Sequence, residues 1–275
     1  MATDTKKIVL ITGGNTGLGY QVIKSLLKSQ GTSYEILMGS RSVDKGDQAV
    51  AKLQQEVPHS SSSVSVVQAD ISSDSSIDEV VDLIKTKYGR LDVLVNNAGA
   101  GFDRAIQDST LSIRAAFNQT WDTNVSGTQV LTTLAMPLLF ASSDPRLLFI
   151  TSGTSSLTET ESTEPPAIAR INAPPQAGWP KPPHGNPIAA YRSAKTGLNM
   201  LFRDWCRVLG NDHVKLWAVS PGFLATGLSG VGAEAMKKMG AQDPEVGGEF
   251  VRDVVEGKYD GKVGRIIRKA MVQPY

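Results

Sequence analysis

The chain has 275 residues, with 28 Lys and Arg against 27 Asp and Glu, so its formal net charge at pH 7 is +1. This length suits one domain with a large core, and the balanced charge gives no electrostatic reason to expect a nucleic acid or an acidic membrane as partner. No apolar run is long enough to span a bilayer, and the single cysteine, Cys206, cannot form an intrachain disulfide. With no room for a signal peptide before the first apolar run, these features predict a soluble cytoplasmic protein.

The first patterned stretch joins a short apolar run to a helix. Residues 8–11, Ile-Val-Leu-Ile, predict a buried strand, and residues 20–27 place apolar side chains at helical spacing. Glycines between them allow a tight turn, and a helix N-terminus offers unpaired N–H groups and the positive end of its dipole to a diphosphate. An ordinary strand-to-helix turn is the alternative to a dinucleotide site. The candidate phosphate-binding residues are Gly13, Asn15, Thr16, Gly17, Leu18 and Gly19.

Strand and helix patterns then alternate along the rest of the chain. This alternation is typical of βαβ units, whose right-handed crossovers place helices on both faces of a parallel sheet. The sequence therefore predicts an α/β fold, with a single Rossmann-type doubly wound sheet spanning residues 1–275. The further strands are predicted at 36–38, 64–67, 91–95, 147–150, 214–219 and near 264–267, with helices near 44–56, 74–88, 112–140 and 189–209.

One segment interrupts this alternation. Residues 158–187 contain eight of the fourteen prolines of the chain, which excludes a regular helix or a central strand there. Long loops in compact domains are commonly functional or disordered. Two interpretations stay open, a solvated surface loop and a lid beside an active site.

A tyrosine and a lysine begin an amphipathic helix with the spacing Tyr-x-x-x-Lys, at Tyr191 and Lys195. This spacing places their Cβ atoms about 5–6 Å apart on one helix face. A nearby ammonium and an oxidised nicotinamide would both favour phenolate, so we expect the pKa of Tyr191 to lie below its usual ~10. Such a phenol can exchange a proton with a carbonyl or alcohol oxygen.

Other polar residues follow the predicted strands at their carboxyl ends, where a doubly wound sheet opens its ligand crevice. The sequence Asn-Asn-Ala-Gly at 96–99 follows the fourth strand, and Ser152 follows the fifth. Asn124 lies within a predicted helix, and Pro221-Gly222 follows the sixth strand. A simple asparagine-rich turn is the alternative for 96–99, and an exposed amide is the alternative for Asn124.

Taken in order, these motifs resemble the short-chain dehydrogenase/reductase family over residues 6–270, in a form like its carbonyl reductases. The resemblance implies that Tyr191 is the general acid/base, while Lys195 holds a ribose and lowers the pKa of the tyrosine. It implies that Ser152 orients the carbonyl oxygen and that Asn124 supports a water and proton relay. Besides Tyr191 and Lys195, the cofactor contacts that it implies beyond the glycine-rich turn are Asp70, Ile71, Asn97, Ala98, Gly99, Pro221, Gly222, Leu224 and Thr226.

The chain departs from the family pattern in one spacing. Tyr191 follows Ser152 by 39 residues, where little more than a dozen is usual, and residues 158–187 fill the excess. Thr154, Ser155 and Ser156 therefore remain alternatives to Ser152. Some monomeric carbonyl reductases of the family carry a comparable insertion, so a monomer is expected, with a homodimer as the alternative.

The end of the second predicted strand bears on the choice of nicotinamide cofactor. An acidic residue there would bind the ribose hydroxyls of NAD, but the sequence is Met-Gly-Ser-Arg-Ser at 38–42. Arg41 offers a guanidinium, and Ser40 a hydroxyl, to a 2′-phosphate. A surface arginine in a turn is the alternative. The sequence favours NADP(H).

The remaining candidates are less specific. The three histidines lack metal-ligand spacing, so no metal site is expected, and Cys206 is interpreted as a small core residue. Four apolar side chains have two interpretations, as the lining of an apolar pocket or as ordinary packing in the core. They are Phe102, Trp179, Leu224 and Leu228.

These observations together predict an NADPH-dependent enzyme that reduces a ketone or aldehyde to an alcohol, with a small molecule as its substrate. The alternatives are a non-redox enzyme of the same fold, such as an isomerase, dehydratase or cyclase, and an NADP-sensing regulatory protein. The sequence does not identify the substrate.

Overall fold

A computed structural model of the chain describes residues 6–164, 169, 171–181 and 188–275. Its sheet has seven parallel strands in the order β3-β2-β1-β4-β5-β6-β7. This order reverses direction between β1 and β4, which confirms the predicted doubly wound sheet. The strands are β1 (Lys7–Ile11), β2 (Tyr34–Ser40), β3 (Ser63–Gln68), β4 (Val93–Asn96), β5 (Arg146–Ile150), β6 (Lys215–Val219) and β7 (Ile266–Ile267).

Helices connect successive strands and cover both faces of the sheet. The α-helices are α1 (Gly17–Leu27), α2 (Val43–Glu56), α3 (Asp74–Tyr88), α4 (Asp103–Gln107), α5 (Ile113–Trp121), α6 (Gly127–Phe140), α7 (Leu157–Thr160), α8 (Ala189–Val208), α9 (Ala233–Lys238) and α10 (Pro244–Val255). A π-helical turn, Asp122–Ser126, lies between α5 and α6. Short 3₁₀ turns occur at Gly153–Ser155, Gly227–Ser229 and Asp260–Lys262.

Successive side chains of each strand point to opposite faces of the sheet. Because helices cover both faces, both sets of side chains are buried. On β1, Leu10 belongs to the apolar cluster that includes Phe202 of α8. Its neighbour Ile11 belongs to the opposite cluster, which includes Val22 of α1 and Phe250 of α10. This two-sided burial explains why the strands appear in the sequence as continuous apolar runs rather than as alternating ones.

The predicted helix over 112–140 is present from Ile113 to Phe140 and contains a π-helical turn, Asp122–Ser126. The Thr120 hydroxyl donates to the main-chain oxygen of Ala116 (2.7 Å), and the Asn124 amide donates to that of Thr120 (2.7 Å). Side chains that bond to helix carbonyls compete with the regular i to i−4 pattern and bend the helix. A π-helical turn at this point places Asn124 in the interior, where it is fully buried.

The helix α10 is not among those predicted from the sequence. The signals for it were present, since Asp243 caps the helix by accepting from the Glu245 N–H and Pro244 occupies its first turn. Across the described part of the chain, no helix is both long enough and apolar enough to cross a bilayer.

Candidate active site

The glycine-rich turn leaves the N-terminus of α1 open. Thr16 precedes the helix without a capping side-chain hydrogen bond, and the first turn of α1 carries no acidic residue. Gly13 has a φ of +62°, which favours glycine, and a Cβ placed at Gly19 would lie 2.4 Å from the Gly13 oxygen. The N–H groups and the positive dipole end of α1 therefore face a turn whose backbone a ligand can approach closely.

Two side chains join this turn to the end of β4. The Thr12 hydroxyl accepts from the N–H groups of Asn97 (3.0 Å) and Ala98 (2.9 Å). The Asn97 amide donates to the main-chain oxygens of Thr12 (2.8 Å) and Gly13 (3.2 Å). Asn97 thus holds two loops together, and Ala98 and Gly99 follow it at the same sheet edge.

Tyr191 and Lys195 lie in the first two turns of α8, as predicted. The Lys195 Nζ atom is buried, donates to the main-chain oxygen of Ile150 (2.8 Å) and lies 5.8 Å from the centre of the Tyr191 ring. Burial lowers the pKa of Lys195 to about 7, because the ammonium is removed from water.

The pKa of Tyr191 differs from the expectation. Burial raises the pKa to about 12, and a side-chain hydrogen bond with Ser152 opposes this increase only in part. The expected lowering assumed a charged lysine and an oxidised nicotinamide close to the phenol. In this structure the lysine amine is itself shifted toward its neutral form, so desolvation dominates.

Ser152 is the hydroxyl that reaches Tyr191. Its Oγ atom lies 2.9 Å from the Thr154 Oγ1 atom, and its interaction with the phenol lowers the pKa of Tyr191, against the larger effect of burial. Ser155 is buried and accepts from the Asn199 amide (2.8 Å), while Ser156 caps α7 by accepting from the Glu159 N–H (3.2 Å). Of the alternatives considered from sequence, Thr154 is the one whose hydroxyl contacts the Ser152 hydroxyl, whereas the Ser155 hydroxyl donates to the Ser152 main-chain oxygen.

Asn124 has one satisfied and one free polar atom. Its amide nitrogen donates to the main-chain oxygens of Ala100 and Thr120 (both 2.7 Å), whereas its buried Oδ1 atom has no hydrogen-bond partner. A Cβ placed at Gly99 would lie 2.8 Å from this Oδ1 and 3.3 Å from the Lys195 Nζ. The unpaired Asn124 oxygen and the Lys195 amine therefore both lie next to the space beside the Gly99 Cα atom.

An exposed cation lies just after the end of β2. Arg41 is exposed, and no hydrogen bond or ion pair to it occurs within the described ranges. The Ser40 hydroxyl donates to the Ser42 oxygen (2.8 Å) and is buried. Asp70 accepts from the hydroxyl (2.7 Å) and N–H (3.0 Å) of Ser72, so its carboxylate shapes the turn after β3, beside the buried Ile71.

The segment after β6 returns to the glycine-rich turn. Thr226 lies next to Gly17, since a Cβ placed there would be 3.5 Å from the threonine Cβ. Leu224 is buried, and both it and Leu18 contact the position of Gly247. Pro221 and Gly222 lie where β6 ends, so all the predicted cofactor residues from this segment lie at the same sheet edge.

The four apolar side chains that could line a pocket or pack in the core differ in exposure. Trp179 is 88% exposed and Leu228 is 42% exposed, whereas Leu224 is buried. Phe102 is half-buried and precedes α4. No group of His, Cys, Asp and Glu side chains that could hold a metal ion occurs in the described ranges.

The described part of residues 158–187 is attached to the site. Arg192, which follows Tyr191, donates to the Thr154 oxygen (3.0 Å) and to the Asn172 side chain (2.5 Å). Asn172 in turn donates to the oxygens of Glu159 and Ser162 (both 2.8 Å). Residues 165–168, 170 and 182–187, which include five of the eight prolines, lie outside the described residues.

Sequence reasoning missed three residues that hold this site. Thr12 directly precedes the glycine-rich turn, and the pattern of the turn assigns no role to its hydroxyl. Asp103 accepts from the N–H groups of Ala190 and Tyr191, and Gln273 donates to the Ser152 oxygen (3.2 Å). The last two contacts join segments far apart in the chain, so no local pattern signals them.

Comparison with known proteins agrees with this arrangement. A family model described as short chain dehydrogenase matches residues 7–163. The chain is 46% identical to the short-chain dehydrogenase/reductase eupG of a Phoma species, over 98% of both chains. It is 43% identical to the short-chain dehydrogenase/reductase tropE of Talaromyces stipitatus, over the full length of both.

The chain belongs to the short-chain dehydrogenase/reductase family. A solved structure, the NADPH-bound carbonyl reductase from chicken fatty liver, superposes with a TM-score of 0.76 at 17% identity, covering 98% of this chain and 99% of that one. This likeness confirms the fold. The short-chain dehydrogenases/reductases bind a nicotinamide cofactor, and this chain is accordingly an oxidoreductase of that family.

The Gly19→Ala variant tests the glycine-rich turn. We expect the affinity for a nicotinamide cofactor to fall by about tenfold or more, because the added methyl group clashes with the Gly13 oxygen and an overpacked site costs about 1–3 kcal/mol. Gly31→Ala is the matched control, since a Cβ there meets no atom within 4 Å. Fluorescence titration with NADPH and NADH measures both, and equal affinities in the two variants would contradict the assignment.

Proposed function

We propose that this short-chain dehydrogenase/reductase uses NADPH to reduce a ketone or aldehyde to an alcohol. The observation that carries the proposal is that the Ser152 hydroxyl, just after β5, interacts with the Tyr191 phenol and opposes the rise in its pKa, while the Lys195 Nζ atom lies 5.8 Å from the centre of the Tyr191 ring. Two adjacent O–H groups in a desolvated cleft suit a single carbonyl oxygen as their shared acceptor.

The residues present fit a nicotinamide cofactor. The open N-terminus of α1 and the glycine turn suit the diphosphate, and the space above Gly99 has an orphaned acceptor, Asn124 Oδ1, beside the Lys195 amine. A ribose hydroxyl or a water molecule can donate a hydrogen bond to the Asn124 oxygen and accept one from the Lys195 amine. Either group would therefore fit between these two side chains. When bound, the cofactor would supply the hydride.

In this proposal the protein handles the proton. Ser152 and Tyr191 polarise the carbonyl by donating hydrogen bonds, and Tyr191 transfers its phenolic proton to the oxygen as the alcohol forms. A pKa of about 12 keeps the phenol protonated, hence ready to donate, at neutral pH. In the proposed mechanism, protonated Lys195 and a water held by Asn124 would return a proton to the resulting phenolate.

The choice of NADPH rests on Arg41. Because β2 ends without a carboxylate and Arg41 is exposed without a described partner, its guanidinium is available to a 2′-phosphate. The Ser40 hydroxyl donates to Ser42, so its oxygen can act only as an acceptor for another group. Arg41 is therefore the stronger of the two predicted phosphate ligands.

The first variant that tests the mechanism is Tyr191→Phe. We expect kcat to fall by about 10²–10⁴-fold, since the transferable proton is removed, while the dissociation constant for NADPH changes little. Tyr88→Phe, which removes a hydroxyl bonded to Glu35 away from the site, should keep full activity. Steady-state NADPH oxidation with a carbonyl substrate measures both, and undiminished turnover in Tyr191→Phe would refute the mechanism.

Arg41→Asp should reverse the cofactor preference. A carboxylate repels the 2′-phosphate and can accept the ribose hydroxyls of NADH, and like charges in contact cost several kcal/mol. The ratio of dissociation constants for NADPH and NADH decides the point. Arg207→Asp, in which another exposed arginine is reversed, should leave the ratio unchanged. If Arg41→Asp also leaves it unchanged, Arg41 does not bind the phosphate.

We further propose that residues 1–275 form one cofactor-binding and catalytic domain and that residues 158–187 bound the substrate site. The Arg192 contacts with Thr154 and Asn172 support this, because they tie the insertion to the residue next to Tyr191. The same insertion would favour a monomer over a homodimer by covering a helix face. The single cysteine fits a reducing compartment such as the cytoplasm.

Replacement of residues 158–187 by a short Gly-Ser linker tests this boundary. We expect KM for the carbonyl substrate to rise by about tenfold, which corresponds to ~1.4 kcal/mol, while KM for NADPH stays within about twofold. Sedimentation should detect dimers if apolar surface is uncovered. If the variant keeps the parental KM values and mass, residues 158–187 are only a passive surface loop and the proposed role is wrong.

The two alternative functions predict a different result when NADPH oxidation is measured with carbonyl substrates. A non-redox enzyme or an NADP-sensing protein would bind NADPH tightly without oxidising it across a carbonyl panel. The assembled Ser152, Tyr191 and Lys195 side chains favour catalysis, since a sensor has no need of a proton donor beside a buried amine.

A further inference from the structure

The helix that carries Tyr191 begins without a cap of its own. Ile188 occupies the N-cap position and makes no side-chain cap hydrogen bond, and the first turn of α8 contains no acidic residue. The first N–H groups of a helix have no partner within the helix, so they need acceptors from elsewhere. The main-chain N–H of Tyr191 is one of these groups.

Asp103 supplies both acceptors from a distant part of the chain. Its Oδ1 atom accepts from the Ala190 N–H (2.7 Å) and its Oδ2 atom from the Tyr191 N–H (2.9 Å). The residue is only 5% exposed, and no salt bridge to it is found among the described residues. Charge-assisted bonds at the positive end of the α8 dipole therefore stabilise this buried carboxylate.

The segment that carries Asp103 is itself fixed to the cofactor side of the site. The Ala100 oxygen accepts from the Asn124 amide (2.7 Å), and the Phe102 N–H donates to the Thr120 hydroxyl (3.3 Å). A Cβ at Gly101 would lie 3.4 Å from the Tyr191 ring. A continuous set of contacts thus runs from the loop after β4 to the backbone and ring of the tyrosine.

We propose that Asp103 is a positioning residue, which fixes the backbone of Tyr191 so that the phenol meets Ser152 and the carbonyl oxygen in one geometry. The inference rests on the proposed function, in which Tyr191 is the proton donor. A displacement of about 1 Å at a reacting group can cost about 10²-fold in rate. Asp103 acts through the main chain of α8 and touches no reacting atom.

Asp103→Asn tests the role by removing the charge and one of the two acceptors. The amide nitrogen would face an N–H group, so the pair of bonds cannot re-form. We expect kcat to fall by about 10–100-fold while KM for NADPH stays within about twofold. Asp103→Glu, which keeps both acceptors, should recover part of the loss.

Asp243→Asn is the matched control, because Asp243 caps α10 by the same kind of bond, to the Glu245 N–H (3.0 Å), on a helix without site residues. It should leave kcat unchanged. If Asp103→Asn does not fold, or folds and keeps the parental kcat, Asp103 is only structural and the proposal is overturned.

A second measurement does not depend on catalysis. With ¹³Cζ-tyrosine labelling and NADP⁺ bound, the Tyr191 resonance, assigned by its absence in Tyr191→Phe, should shift and broaden in Asp103→Asn. The Asp243→Asn spectrum should overlay the parent. An unchanged resonance in folded Asp103→Asn would overturn the positioning role, whereas a shifted resonance in a protein that reduces no carbonyl would count against the proposed function alone.

Discussion

The candidate site depends on the backbone groups left unpaired where the parallel strands end. Buried main-chain N–H and C=O groups require partners, and at this edge polar side chains supply them. Thr12 and Asn97 satisfy the ends of β1 and β4, and Lys195 donates to Ile150 at the end of β5. The side chains that complete the sheet therefore also form the wall of the proposed cofactor site.

Desolvation at this edge sets the protonation states. Burial raises the pKa of Tyr191 to about 12 and lowers that of Lys195 to about 7, so each group is displaced toward its neutral form. A neutral phenol can donate a proton to a carbonyl, which suits the reductive direction. Alcohol oxidation instead needs phenolate, which a protonated Lys195 and an oxidised nicotinamide would favour.

Much of this arrangement was predictable because its signals are local. Apolar runs and helical spacing gave the strands, and the glycine turn, Ser152 and Tyr191 each lie next to a strand end or helix start. Four features were not predictable in this way. Asn124 is buried in a π-helical turn, where its amide donates to the Thr120 oxygen, and the helical pattern of the sequence does not signal that turn. Asp103 and Gln273 act across long sequence separations, and the pKa of Tyr191 depends on burial that no motif encodes.

The measurement that most directly tests the central claim is the fate of the hydride. The protein is incubated with NADPH deuterated at C4 of the nicotinamide and with a panel of ketones and aldehydes, and the products are examined by mass spectrometry. The account predicts an alcohol with one deuterium on the carbinol carbon, formed by the parent and about 10²–10⁴-fold more slowly by Tyr191→Phe. Saturable NADPH binding with no deuterium in any product would contradict it.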